Sequence, residues 1–190
     1  MVQSYTLEET DINLYKKFIY GDRQAFDTLV IRHRKNLIAF IMRYVKKVDV
    51  AEDLAQDTFL YMLINKKEYD FKYTLKTYLY TIAKCRALNY LKNYKGNLPL
   101  EEKYVCDQEV FDVDNNLIIE ENKEDILNAI SKLKREYQIA IYLSDFEEFK
   151  YAEICKILNK TMPQVKMLIH RARKNLKKII IKEGEKYVKW

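Results

Sequence analysis

Two helical patterns separated by a very short break occupy residues 151–180. In both patterns, apolar side chains recur at the three- and four-residue spacing that places them on one face of a helix. Thr161 can cap the second helix with its hydroxyl, and Pro163 is tolerated in a first turn, where its missing N–H costs nothing. The sequence therefore predicts a helix, a tight turn and a second helix.

The second of these helices has a strongly basic outer face, because no acidic residue occurs between Met162 and Lys182. Such a face suits the phosphates of nucleic acid, although cationic helices in ordinary helical hairpins are also common. In a DNA-binding helix-turn-helix, the first turns of the second helix enter the major groove and later cationic residues lie near the backbone. The candidates for base edges are Gln164, Lys166, Met167 and His170, those for phosphate are Arg171, Arg173 and Lys174, and Thr161 completes the set.

The composition indicates an all-α protein. Three glycines and two prolines among 190 residues are too few for many tight β-turns, and helical spacing recurs along most of the chain. The three cysteines are odd in number and lack C-x-x-C spacing, which fits reduced thiols. The polar N-terminus has no secretory pattern and no apolar run approaches membrane-spanning length, so we expect the protein in the cytoplasm.

Charge is distributed unevenly along the chain. The net charge is +6, yet residues 96–125 contain 2 basic and 10 acidic side chains, a balance of −8, so the remainder carries +14. This acidic segment also lacks sustained periodicity, which indicates a linker. We therefore expect a domain over residues 1–95, an acidic linker over 96–125, a helix-turn-helix domain over 126–182 and a polar tail over 183–190.

Four helices are predicted in the N-terminal part, over residues 12–20, about 26–44, 50–65 and 75–94. His33 lies on the apolar face of the second helix, and no Cys or second His is spaced to join it in a metal site. We expect it to be a hydrogen-bonded core residue, and we expect no metal or cofactor. Asp49 and Glu52 have the spacing of a capping box at the start of the third helix.

The third helix carries a polar stripe that the core does not need. Asp53, Gln56, Asp57 and Leu60 follow helical spacing on one side of it. A stripe of this kind is most often a solvated face.

Residues 66–73 break the periodicity and mix lysines with aromatic residues just before the fourth helix. Cationic side chains can hold phosphates while aromatic faces stack on unpaired bases, so this mixture suits single-stranded nucleic acid. The alternative is ordinary packing, since the chain contains 16 tyrosines. The candidate residues are Tyr69, Phe71, Lys72, Tyr73, Lys76, Tyr78 and Lys84.

Residues 143–178 resemble region 4, the C-terminal promoter-reading domain, of bacterial sigma factors of the extracytoplasmic-function type. The matching residues are Leu143, Asp145, Phe146, Glu147, Tyr151, Glu153, Ile154, Val165, Lys166 and the HRAR sequence at 170–173. In such proteins this domain reads the minus-35 element. The resemblance implies that role for the basic helix.

Two further segments resemble the same family. Residues 51–63, AEDLAQDTFLYML, are similar to the helix that docks on the β′ clamp helices of RNA polymerase, which implies polymerase binding by the stripe of the third helix. Residues 71–93 are similar to the segment that melts and reads the minus-ten element, with Tyr78 where many relatives have tryptophan and Lys84 where arginine is usual. The implied partners are core polymerase, through its β′ clamp helices and β flap, promoter DNA and an anti-sigma factor.

The chain departs from the family pattern at three positions near the helix-turn-helix. Relatives usually have glycine at Glu148, serine at Lys150 and glycine at Pro163. Loss of the serine removes an N-cap, typically worth about 1 kcal/mol.

The sequence predicts an alternative sigma factor rather than an enzyme, since it has no phosphate loop, nucleophile pair or metal cluster. The alternative is a stand-alone helix-turn-helix regulator. Such a protein would need neither the polar stripe of the third helix nor the aromatic loop at residues 66–73. A helical adaptor that binds only protein would leave the acid-free basic face unexplained.

Overall fold

The computed structural model describes residues 9–96 and 121–187. Every regular element in these ranges is a helix, which confirms the predicted all-α class. Most of the predicted acidic linker, residues 97–120 with Cys106, lies outside the described residues, as do positions 1–8 and 188–190. None of the described helices combines the length and apolar character needed to cross a membrane.

The N-terminal domain consists of α1 (Asp11–Ile19), α2 (Arg23–Val45), α3 (Val48–Ile64) and α4 (Leu75–Gly96). Gly21, with φ of 108°, allows the tight turn between α1 and α2 that its position predicts. The Asp22 carboxylate then caps α2 by accepting the Ala25 N–H at 3.2 Å. The helices enclose a core in which Tyr15, Leu37, Phe40, Ile41 and Tyr80 are completely buried.

The predicted capping box at the start of α3 is wrong. The helix begins at Val48, two residues earlier than that motif requires, and its N-cap Lys47 makes no side-chain cap bond. Asp49 instead lies within the first turn, where a carboxylate complements the partial positive charge of the helix N-terminus.

The C-terminal domain contains α5 (Glu121–Ser131), α6 (Arg135–Ile141), a π-helical turn (Tyr142–Phe146), α7 (Tyr151–Leu158) and α8 (Met162–Tyr187). Helix α5 begins within the range assigned to the linker, and α8 continues through positions 183–187 of the range assigned to the tail. The two domains also touch each other, with α4 against α7 and α2 against α6. Buried apolar side chains of both form one continuous core.

Candidate nucleic-acid interface

The predicted helix, turn and helix are formed by α7, residues 159–161 and α8. Asn159 ends α7 in the left-handed conformation with φ of 54°, and the Lys160 N–H donates to the Cys155 carbonyl at 3.0 Å. The hydrogen bond at the start of α8 differs from the expected cap by the Thr161 hydroxyl. Here the side chain of Gln164 reaches back, and its Oε1 accepts the Thr161 N–H at 2.9 Å. The break is therefore as short and as well bonded as a DNA-binding helix-turn-helix requires.

Helix α8 buries one face and leaves the other open. Val165, Ile169 and Ala172 are at most 1% exposed and pack on the domain core. All of the candidate DNA contacts from Thr161 to Lys174 are exposed. At 3.6 residues per turn, the middle of the outer face carries Met167, His170 and Lys174, opposite the buried stripe.

Arg173 lies at the edge of that face and has a partner within the domain. Its Nε donates to Asp145 Oδ2 at 3.3 Å, and its Nη2 pairs with Asp145 Oδ1. This hydrogen bonding to a carboxylate raises the pKa of Arg173. The pair joins α8 to the π-helical turn, so Asp145 competes with phosphate for the Arg173 guanidinium.

The structure shows the local backbone setting of two of the three positions at which the chain departs from the family pattern, Glu148 and Lys150. Glu148 has φ of 55°, in the left-handed region that favours glycine. Lys150 precedes α7, and Glu153 Oε2 accepts its N–H at 3.0 Å, so part of the missing serine cap is replaced by a carboxylate reaching back from the first turn.

The aromatic loop before α4 separates into buried and exposed members. Tyr69, expected as a stacking surface, is 4% exposed; its ring contacts Tyr15, Phe71 and Tyr78, and its hydroxyl donates to the Tyr73 carbonyl at 2.5 Å. Burial raises its pKa to about 12. Tyr69 is therefore a core residue that holds the loop. Of the two interpretations of the aromatic residues, ordinary packing rather than base stacking applies to it.

Phe71 and Tyr73 remain open to solvent, with 45% and 41% of their surfaces exposed. Lys72 is also exposed, 3.7 Å from Asp70. Tyr78 is half-buried with its hydroxyl enclosed, and burial raises its pKa to about 12. Among the aromatic candidates for base stacking, Phe71 and Tyr73 are thus the exposed pair.

The cationic candidates of α4 face the C-terminal domain. Lys76 Nζ lies 2.7 Å from Glu147 Oε2. Lys84 is partly buried, and burial, together with the charge of nearby Lys160, lowers its pKa. Neither the ion pair of Lys76 with Glu147 nor the position of Lys84 near Lys160 could be predicted from spacing along one helix.

The polar stripe of α3, which resembles a polymerase-docking surface, is exposed along its length. Asp53, Gln56, Asp57 and Leu60 all lie in solvent, and Asp57 stands 3.5 Å from Arg86. The same helical spacing continues to Leu63 and Ile64, which are 43% and 69% exposed. These two apolar residues were missed by the sequence analysis, although continuing the stripe by one further turn would have included them.

His33 is a bonded core residue, as predicted. It is 8% exposed, and its Nε2 lies 2.7 Å from Asp11 Oδ2. No group of three potential metal ligands occurs in the described parts of the chain.

Comparison with protein families gives two matches in chain order. Residues 29–96 match the model of sigma-70 region 2, and residues 123–176 match that of sigma-70 region 4. The first match covers α3, α4 and the aromatic loop, and the second covers the helix-turn-helix.

Individual proteins show the same relationship over nearly the whole chain. RNA polymerase sigma factor YlaC of Bacillus subtilis is 28% identical over 166 residues, which span 86% of this chain and 96% of YlaC. The ECF RNA polymerase sigma-E factor of Haemophilus influenzae is 28% identical over 174 residues, 86% of this chain and 92% of that factor.

Solved structures share the fold. The sigma factor RpoE of Bartonella quintana, solved with the anti-sigma factor NepR, has a TM-score of 0.69 at 21% identity over 82% of this chain and 96% of RpoE. CnrH, solved with the cytosolic domain of CnrY, has a TM-score of 0.62 at 18% identity over 90% of this chain and 97% of CnrH. With both sigma-70 regions in order and relatives of matching length, the chain belongs to the sigma-70 family of RNA polymerase sigma factors, as a member of the extracytoplasmic-function type.

Proposed function

We propose that this sigma factor divides promoter reading between its two domains. Helix α8 reads the minus-35 element through Gln164, Lys166, Met167 and His170, and the loop and first turns of α4 capture the melted minus-ten strand. The observation that supports this most is the exposed face of α8, which has no acidic residue from Met162 to Lys182, in a chain that also exposes aromatic residues beside the N-terminus of α4. A stand-alone regulator would not use the second surface.

Polymerase binding is assigned to two other surfaces. The stripe of α3 from Asp53 to Ile64 fits the β′ clamp helices, with acidic residues at one end and apolar ones at the other. A groove between α5 and α8 exposes Ile126, Phe146 and Ile180, and suits an apolar segment such as that of the β flap. The sigma factor itself catalyses no reaction, because the polymerase forms the phosphodiester bond. The sigma factor acts in the cytoplasm, where the polymerase transcribes.

An anti-sigma factor is a further proposed partner. RpoE, which shares this fold, was solved bound to one. A protein of that class would cover surfaces that polymerase or DNA needs.

Transcription with purified components tests the proposed function. The chain is incubated with promoter libraries in the presence and absence of core polymerase, and transcripts and bound DNA are sequenced. Promoter-specific transcripts should require both components. Tight, sequence-specific duplex binding by the chain alone, with no effect on core polymerase, would favour the stand-alone regulator.

Tyr73→Ala tests capture of the minus-ten strand. A base–aromatic stack contributes roughly 1–3 kcal/mol, which is comparable with the cost of unstacking a base. The variant should form closed complexes normally, give fewer open complexes, and recover full transcription on a pre-melted template. Permanganate reactivity of minus-ten thymines measures this. Tyr20→Ala, which removes an exposed tyrosine from the turn after α1, is the matched control, and equal reactivity in both variants would contradict the assignment.

A further inference from the structure

A methionine stands at the centre of the outer face of α8, among polar and cationic side chains. Met167 leaves 53% of its surface in solvent. At about 100° per residue, it points nearly opposite to the buried stripe of Val165, Ile169 and Ala172. Pro163, also exposed, lies four positions earlier and therefore on the same side of the helix. The first two turns of α8 thus present an apolar patch where promoter DNA is expected.

An exposed methionine carries little information by itself, because single apolar residues are common on protein surfaces. The position of Met167 is what distinguishes it. In a helix-turn-helix, the first turns of the second helix enter the major groove. A thioether side chain offers nothing to phosphate, whereas it packs well on apolar groups of varied shape. The apolar group that base edges present in the major groove is the C5-methyl group of thymine.

Gln164 is the neighbour whose side chain could compete with Met167 for an adenine–thymine pair. Amide side chains read adenine with both atoms, since the oxygen accepts from N6 and the nitrogen donates to N7. In this structure, Gln164 Oε1 already accepts the Thr161 N–H at 2.9 Å at the start of α8. Turning both amide atoms toward a base would break this bond and leave the Thr161 N–H without that partner. Adenine is therefore a poor match for Gln164, and the thymine methyl group is left as the distinguishing feature of the pair.

The cationic side chains beside Met167 supply donors. Lys166 and Arg171 are exposed and have no acceptor atom, so they suit the two acceptors of guanine or phosphate oxygens. Residues 162–182 include no carboxylate that could accept from the amino groups of cytosine or adenine. His170, whose neutral imidazole has one acceptor, lies three positions after Met167. Donors around an apolar centre predict that this face distinguishes guanine and thymine best.

We propose that Met167 selects thymine in the minus-35 element, by contact of its side chain with the C5-methyl group in the major groove. This role rests on the proposed function, in which α8 reads that element. Burial of one methyl group changes an equilibrium constant by about fourfold. Met167 is accordingly a specificity-determining residue of modest strength, while the surrounding cations supply most of the affinity.

Transcription from promoters with a randomised minus-35 element tests the preference, with the full chain and core polymerase. At one position, the parent should favour thymine over cytosine by at least about fourfold. Met167→Gln keeps the length of the side chain and makes its end polar, so it should lose this preference and retain those at other positions. Met167→Leu stays apolar and should keep the preference. Met162→Gln makes the same change at a methionine that is 37% exposed and lies away from the outer face, and it should behave like the parent.

Deoxyuridine localises the effect to the methyl group, because it lacks that group and has the same hydrogen-bonding edge as thymine. Each thymine on either strand of the selected element is replaced in turn, and the affinity of the sigma factor with core polymerase is measured by competition. One replacement should weaken binding of the parent by about fourfold and leave that of Met167→Gln unchanged. At the same position, 5-methylcytosine should bind the parent more tightly than cytosine by a similar factor, with no such difference for Met167→Gln.

An equal loss on deoxyuridine replacement in the parent and in Met167→Gln would overturn the selection of thymine by Met167. A thymine preference that Met167→Gln leaves intact, or that Met162→Gln removes equally, would do the same. Loss of the preference in Met167→Leu would also overturn it, because contact with a methyl group requires an apolar side chain rather than methionine itself.

Lys166→Ala separates this failure from failure of the proposed function. If α8 reads the minus-35 element but Met167 does not select thymine, Lys166→Ala still alters the preferred sequence while Met167→Gln does not. If α8 does not read the element, neither substitution changes the preferred sequence.

Discussion

Asp11 connects the first two helices of the N-terminal domain through both of its oxygens. Oδ1 lies 2.5 Å from Arg32 Nη1, and Oδ2 lies 2.7 Å from His33 Nε2. Burial alone would raise the pKa of Asp11, but the hydrogen bonds from His33 and Arg32 outweigh it and lower the pKa below 3.8. The carboxylate is therefore held in its charged form by folding.

Asp11→Asn should lower the free energy of unfolding at pH 7 by about 1–3 kcal/mol, since a partly buried charge-assisted network is lost. Because the folded pKa is depressed, the Asp11 contribution is fully present above pH 3.8 and is lost as pH falls below it. The stability difference between parent and variant should therefore shrink in that range. Urea denaturation across pH measures it, with Asp27→Asn, an exposed carboxylate on α2, as control. A difference independent of pH would contradict the charged role.

At the scale of elements, α3 combines a buried face with an open one. Ala51, Ala55 and Thr58 are at most 1% exposed, and the stripe from Asp53 to Ile64 lies on the other side. The residues of α3 that pack in the core are therefore different from those proposed to bind polymerase.

Asp53→Ala combined with Gln56→Ala should change stability by no more than about 0.5 kcal/mol, as exposed substitutions usually do. Affinity for core polymerase should nevertheless fall. Gln24→Ala combined with Asp27→Ala removes the same two residue types at the same spacing from an exposed part of α2 and should bind normally. Pull-down of core polymerase with both variants measures the effect. Equal recovery would mean that the α3 stripe is merely solvated.

At the scale of the whole molecule, we expect contacts with the N-terminal domain to contribute to the stability of the C-terminal domain. A small helical domain buries a limited fraction of its surface and has little stability to spare. The interface adds the aromatic contacts of Tyr142 and Phe149 and the polar contacts of Glu147 and Glu153.

Calorimetry of the full chain should detect this dependence. Glu147→Lys should melt in two steps, with the C-terminal domain unfolding several degrees earlier, because about 1 kcal/mol corresponds to roughly 4–8 °C in a domain of this size. Glu148→Lys should melt like the parent. A common profile for all three chains would show that the domains are energetically independent.

Local periodicity was sufficient to predict most of the helices, the short turn and the basic face of α8. Each depends on residues three or four positions apart, whose relative placement a helix determines by itself. The same reasoning placed His33 in the core and Asp53, Gln56 and Asp57 outside it. The family resemblance then connected these faces with promoter and polymerase.

Only the tertiary structure decided which members of an irregular loop are buried and which distant groups meet. Tyr69 and Tyr73 are equally aromatic, yet the path of the backbone turns one into the core and leaves the other open. Thr74 and Glu153 are 79 positions apart, so no helical spacing relates them. Their contact depends on how two separately formed domains pack, and packing depends on the summed shape and charge of whole surfaces rather than on neighbours along the chain.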